Sequence, residues 1–143
     1  MRTLLIATDL GPTSQNAVSY GVGLARDLGA EVVLVHAWQP TQITLLDVTL
    51  IEPAERLAAH AQELHRQLEE VAEQHRAVGA KITTRFLDGD LADIIGGLVK
   101  EIGAEMVVVG TNLPRLVTRI LGSSAQSIIR AVPCPVLVVH AAP

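Results

Sequence analysis

Apolar positions recur along this chain at two periods. Near-continuous apolar runs occupy residues 3–8, 32–37, 106–109 and 136–140, rich in Val, Ile and Leu and short enough to be strands covered on both faces. Residues 82–87 differ. There Ile82, Thr84 and Phe86 alternate with Thr83 and Arg85, the half-exposed pattern of an edge strand. Between these runs the apolar positions fall at helical spacing. Residues 14–28 carry Ala17, Tyr20, Gly21, Leu24 and Leu28 on one predicted face. Residues 53–78 carry Leu57, Ala61, Leu64, Leu68, Val71, His75 and Val78, with Pro53 suited to the first turn. A third helix starts at Asp90, a good N-cap, and carries Leu91, Ile94, Ile95, Leu98 and Ile102. A fourth spans residues 124–131, with Ile128 and Ile129 expected inward and Pro133 ending it.

One junction appears three times: Leu28-Gly29-Ala30-Glu31-Val32, Val78-Gly79-Ala80-Lys81-Ile82 and Ile102-Gly103-Ala104-Glu105-Met106. Each reads as a helix ending at a left-handed glycine, with a strand starting three residues later. Five strands thus alternate with four helices, the grammar of an α/β fold. Right-handed crossovers, with the third strand at an edge, predict a doubly wound parallel sheet in the order 3-2-1-4-5. The ends of the first and fourth strands then flank the switch point where open α/β sheets bind ligands. Those ends carry Asp9 and Gly110.

The segment after the fourth strand is the most ligand-like. Gly110-Thr111-Asn112-Leu113 is followed by Gly122-Ser123-Ser124 at the start of a helix. Strand, glycine, loop and helix N-terminus together present unpaired backbone N–H groups to an anion, so phosphate binding is predicted.

Composition narrows the class. With 143 residues, the chain is expected to form one domain, 1–143. It is 49% hydrophobic but only 2% aromatic, so its core must come from aliphatic side chains. A net charge of −4 without an evident basic face argues against a nucleic-acid partner. The single cysteine, Cys134, excludes an internal disulfide and fits a reducing compartment. The first apolar run stops at Asp9 and no run approaches the roughly 20 residues of a membrane span, so a cytosolic, non-membrane protein is expected.

These features combine into a specific resemblance. Ile6-Ala7-Thr8-Asp9 with Pro12-Thr13-Ser14, Val33-Leu34-Val35-His36-Ala37, Met106-Val107-Val108-Val109-Gly110-Thr111, Gly122-Ser123-Ser124-Ala125 and Pro133-Cys134-Pro135-Val136-Leu137-Val138-Val139 resemble the universal stress protein family, in order and over essentially the whole chain. The resemblance implies an adenine nucleotide alpha hydrolase-like fold and a homodimer formed through the last strand. It also implies ATP, with Mg²⁺, in those members that bind nucleotide. Asp9 would then lie near ribose or metal, the Ala37 backbone near adenine, and the backbone atoms of Ala7 and Thr8 close by. Gly110, Asn112, Gly122, Ser123 and Ser124 would hold phosphates. ATP-binding members carry Gly, two residues, Gly, nine residues, then Gly with Ser or Thr. This chain has Leu113 at the second glycine and eight residues before Gly122, a degenerate Gly-x2-Leu-x8-Gly-Ser-Ser loop. Leucine does not readily take the positive φ that glycine allows. Arg115 and Arg119 in the same loop can return charge to a phosphate.

Other residues have both functional and structural readings. Asp9 either meets a ligand or braces the turn after the first strand. Ser123 and Ser124 either grip phosphate or cap a helix. The five histidines do not form a metal-ligand pattern, and no metal site is expected from them: His60 and His65 are five residues apart on different helix faces. Cys134, between two prolines, is expected to be buried and inert. The heptad-like stripe of the second helix is expected to pack on the sheet. Residues 38–52 read as a long, partly apolar loop that either covers the adenine side or meets a partner. The exposed apolar edge Val136-Leu137-Val138-Val139 is expected to pair with a second copy, which gives a closed two-fold homodimer.

The leading reading is a cytosolic dimeric module of the stress response that holds ATP. The alternative is a family member without nucleotide that acts through partner and dimer contacts. An enzyme ranks last, with no catalytic residue assigned. Apart from Asp9 no general base is evident, and the sequence shows no nucleophile–base pair.

Overall fold

The computed structural model describes residues 2–39, 43–46, 48–50, 53–111 and 123–140. Its elements are β1 (Thr3–Ala7), α1 (Pro12–Leu28), β2 (Glu31–Trp38), β3 (Ile43–Leu45), β4 (Val48–Leu50), α2 (Ala54–Arg76), β5 (Ile82–Asp88), α3 (Leu91–Ile102), β6 (Met106–Thr111), α4 (Ser123–Ala131) and β7 (Val136–His140). The main sheet has the order β5-β2-β1-β6-β7, and each neighbouring pair is parallel. This is the order inferred from the sequence, 3-2-1-4-5 in the five long strands.

Two apolar layers hold the helices to the sheet. On one face Val18, Val22 and Ala25 of α1 and Leu68 and Ala72 of α2 pack with Leu4, Ile6, Leu34 and Val108. On the other, Ile95, Leu98 and Val99 of α3 and Ala125 and Ile128 of α4 pack with Leu5, Val35, Val107 and Val109. The expected caps form. Gly29 and Gly103 sit at φ 66° and 65° just past their helices, and the Asp90 carboxylate accepts from the Asp93 N–H, worth about 1 kcal/mol. At the middle junction α2 already stops at Arg76, and Gly79 lies in the connection at φ 95°. Arg76 ties this end of α2 to the edge strand. Its guanidinium donates to the Ile82 carbonyl at 3.0 Å and to Glu69 at 3.1 Å. Glu69 also accepts from the Thr84 hydroxyl, and these two partners hold its carboxyl below the usual range.

The structure corrects several expectations; Leu28 and Val78, read onto the inward stripes of the first two helices, are 40% and 59% exposed. Tyr20 does not face the sheet; it is 57% exposed. The seated face of α1 is Ser14, Ala17, Val18, Gly21, Val22 and Ala25. Small residues win that face because α1 lies very close to the sheet. A Cβ at Gly21 would fall 2.7 Å from Ile6 Cδ1, and one at Gly110 would fall 3.1 Å from Ala17 Cβ. Ile129 likewise turns outward, while its neighbour Ile128 is fully buried. Finally, the segment 38–52 is not a plain loop. It contains the antiparallel hairpin β3–β4, with Ile43 opposite Leu50 and Leu45 opposite Val48. Its turn residue Leu46 has φ 49° and is 97% exposed.

Candidate functional site

The carboxyl end of β1 runs into a turn, residues 8–11, whose hydrogen bonds form a closed chain. The Leu10 N–H donates to Thr8 Oγ1 at 3.1 Å. Ser14 Oγ donates to the Gly11 carbonyl at 3.1 Å. The Ser14 hydroxyl hydrogen is thereby used, so the 2.9 Å contact between the two hydroxyls has Thr8 donating to Ser14. The Asp9 carboxylate braces the same turn by accepting from the Gly11 N–H at 2.7 Å. Leu10 is held at φ 65°, an uncommon conformation for a side chain of its size. From β2, His36 Nδ1 meets the Thr8 carbonyl at 2.8 Å.

This turn forms one wall of a cleft of about 140 Å³ at the switch point between β1 and β6. Six of the residues singled out from the sequence meet there: Ala7, Thr8, Asp9, Ala37, Gly110 and Ser124. They come from β1, β2, β6 and α4, segments up to 117 positions apart (124 − 7). Ser123 is the first residue of α4. Asn112, Leu113, Arg115, Arg119 and Gly122 lie outside the described residues.

Sequence reasoning missed five lining residues: Ser14, His36, Leu91, Val109 and Ile128. Leu91, Val109 and Ile128 were read as core, and they give the cleft an apolar side. Ser14 reads in the sequence as a helix start and as part of the Pro12-Thr13-Ser14 run, with no site role assigned. His36 stands in the run Val33–Ala37 that carries the family resemblance, but its place inside an apolar strand assigns it no role.

The electrostatics of the cleft come largely from the backbone. Leu91 opens α3, whose N-terminus is already capped by the Asp90 carboxylate and carries Asp93 in its first turn. Ser14 and Ser124 belong to the first turns of α1 and α4, so two helix N-termini point at one place. Each carries roughly half a positive charge. No acidic residue stands in the first turn of α1 or α4, and no side chain caps α1. That arrangement attracts an anion, while Asp9 adds a hydrogen-bond acceptor at the β1 side.

The remaining titratable candidates lie elsewhere. Among the described residues no three His, Cys, Asp or Glu side chains cluster as metal ligands. His65 stacks on Phe86 at 5.3 Å, and His60 meets the edge of Trp38 at 6.3 Å. In a chain so poor in aromatics, histidines supply the rings. His75 is half-buried in a groove between α1 and α2, and burial lowers its pKa. Cys134 is half-buried rather than sealed, and burial pushes its thiol pKa up, away from the reactive thiolate. Among the described residues no helix is long and apolar enough to cross a membrane.

Comparison with known proteins agrees with this architecture. Universal stress protein G of Shigella flexneri is 32% identical over 128 residues, 89% of each chain. A universal stress protein solved in complex with cAMP superposes with a TM-score of 0.73 at 26% identity, covering 99% of this chain and 98% of the other. The universal stress protein of Archaeoglobus fulgidus solved with dAMP shares the fold, with a TM-score of 0.70 at 19% identity over 97% and 98% of the two chains. The model of the universal stress protein family matches residues 1–140, and the chain belongs to that family.

Proposed function

We propose that this protein is a regulatory module that binds an adenine nucleotide, ATP in the first instance, in the cleft between β1 and β6. One observation carries the reading: residues from four separate segments converge where the N-termini of α1 and α4 meet. The cleft is polarised. The Leu10 and Gly11 N–H groups are consumed inside the turn, so the phosphates belong on the Gly110, Ser123 and Ser124 side. Asp9 then faces the ribose or a nucleotide-bound Mg²⁺, an ion commonly held by one or two carboxylates together with phosphates. The Ala37 backbone faces the base, and Ala7 and Thr8 form the floor. Relatives in the same family crystallised with cAMP or dAMP support the ligand class. The role is occupancy rather than turnover, in a cytosolic protein.

Titration calorimetry of ATP with Mg²⁺ into nucleotide-stripped protein tests this. Binding in the micromolar to sub-millimolar range is expected, weakened about tenfold or more in Asp9→Ala, on the scale of one charge-assisted hydrogen bond. No heat up to millimolar ATP would discard the reading in favour of a family member without nucleotide.

The apolar edge of β7 supports a homodimer within the same proposal. Val136, Leu137, Val138 and Val139 are only half-buried, in a strand that pairs on one side with β6. Analytical ultracentrifugation should give twice the 15.2 kDa chain mass. A strictly monomeric species would remove the dimer.

A further inference from the structure

We propose that His36 is a positioning residue: from β2 it fixes the turn at residues 8–11, and with it the Asp9 wall of the cleft. The inference rests on the nucleotide reading for its effect on binding, but not for its effect on the turn.

The argument begins at Thr8. Its N–H donates to the Val35 carbonyl at 2.9 Å. Its hydroxyl accepts from Leu10 and bonds to Ser14. Its carbonyl meets His36 Nδ1 at 2.8 Å. A carbonyl only accepts, so Nδ1 carries the hydrogen and donates, whatever the state of Nε2. Every polar group of Thr8 is thus occupied, and the peptide plane that leads into Asp9 cannot rotate. Leu10 two residues later is held at φ 65°. At Leu10 the bonds of the turn on either side hold that conformation. The hydroxyl bonds are internal to residues 8–14. The His36 bond is a side-chain tie that reaches the turn from β2.

His36 itself is rigid. It is 8% exposed, and its ring packs on Phe86 with centroids 5.6 Å apart. The two are Cα partners across β2 and β5. Phe86 in turn stacks on His65 of α2 at 5.3 Å, nearly parallel at 11°. A run of rings therefore extends from α2 across the edge strand to the turn. Its last member makes a directional bond, not merely a packing contact. The residue also interrupts an otherwise aliphatic strand, where a leucine would fill the space but could not donate.

Two substitutions separate the bond from the bulk. His36→Leu keeps an apolar side chain and loses the donor. His36→Asn keeps a donor nitrogen one bond from Cγ, where Nδ1 stands. Backbone ¹⁵N order parameters of Asp9, Leu10 and Gly11 are expected near about 0.85 in the wild type and in His36→Asn, and at about 0.6 or below in His36→Leu. ATP affinity is expected to fall about tenfold in His36→Leu, with most of it regained in His36→Asn. An equally rigid turn in His36→Leu overturns the proposal, as does a His36→Asn variant no better than His36→Leu. If wild-type protein binds no ATP, the nucleotide reading fails and the order parameters alone decide the role of His36. If His36→Leu does not fold, Phe86→Leu replaces it. That variant removes the ring behind His36 and leaves the turn bonds in place, and it should loosen residues 9–11 partway. A turn that stays fully rigid in Phe86→Leu, with His36→Asn loosened, would overturn the proposal.

Discussion

Two loops leave the carboxyl ends of adjacent parallel strands and meet opposite fates. The turn after β1 is tied at nearly every polar group, to itself, to α1 and to β2. The segment after β2 forms the hairpin β3–β4, whose described pairing is with itself, and its tip residue Leu46 is 97% exposed. Both contain a leucine at positive φ, Leu10 at 65° and Leu46 at 49°. At Leu10 the strain is held by surrounding bonds and bordered by the cleft. At Leu46 the side chain stands in solvent, and the described pairing of its hairpin is between β3 and β4 alone. The contrast teaches that a strained conformation is informative where tertiary contacts enforce it. A tight hairpin turn produces the same dihedral for local reasons alone.

The comparison breaks most severely at the seat of α1, which delivers Ser14 to the turn. Gly21→Val forces atoms into space where even a Cβ lies 2.7 Å from Ile6 Cδ1. Urea unfolding should show a loss of about 1–3 kcal/mol from overpacking, only partly offset by the better helix propensity of valine over glycine. An unchanged midpoint would mean that α1 shifts freely. Next is Thr8→Val, close to isosteric but without the hydroxyl that links Leu10 and Ser14. The expected cost is about 1–3 kcal/mol, because a part-buried donor loses its partner. A shift confined to ligand affinity, with unchanged stability, would show that the bonded chain does not hold the fold.

A smaller effect comes from pH. His75 lies between α1 and α2 among Gln15, Val18, Ser19, Val71 and Gln74, and burial lowers its pKa below the ordinary 6.5. The unfolded chain then takes up the proton more readily than the folded one. Stability is unaffected above pH 6.5 and declines as the pH falls below it toward the folded-state value. His75→Gln should flatten the thermal midpoint across that window, and an equal slope in the variant would assign the effect elsewhere. The smallest effect is expected at the hairpin tip. Leu46→Gly relieves the positive φ and removes a fully exposed side chain, so stability should change by less than about 0.5 kcal/mol. A large loss there would show that the hairpin is covered in solution.

Much of this was legible in the chain before any coordinates. Period alone separated strands from helices, and glycines marked the junctions. Val-rich runs set against Ile82-Thr83-Thr84-Arg85-Phe86 gave the edge and hence the order of the sheet. From that order followed the switch point, with Asp9 and Gly110 on its rim. These features depend on local spacing and on the handedness of crossovers, both of which a sequence carries directly.

The tertiary structure decided what spacing cannot carry. A helical stripe has a period but not an absolute phase. The phase of α1 was set by close approach at Gly21 and Gly110, which seated small residues and turned Tyr20 to solvent. Ile128 and Ile129 look alike in sequence, and only the position of α4 over the sheet buries one of them. The hairpin at 43–50 lacks the glycine that would announce its turn. The role of His36 was hidden for the same kind of reason. A histidine in an aliphatic strand acquires meaning only when a neighbouring strand brings a carbonyl to within hydrogen-bonding distance of its nitrogen.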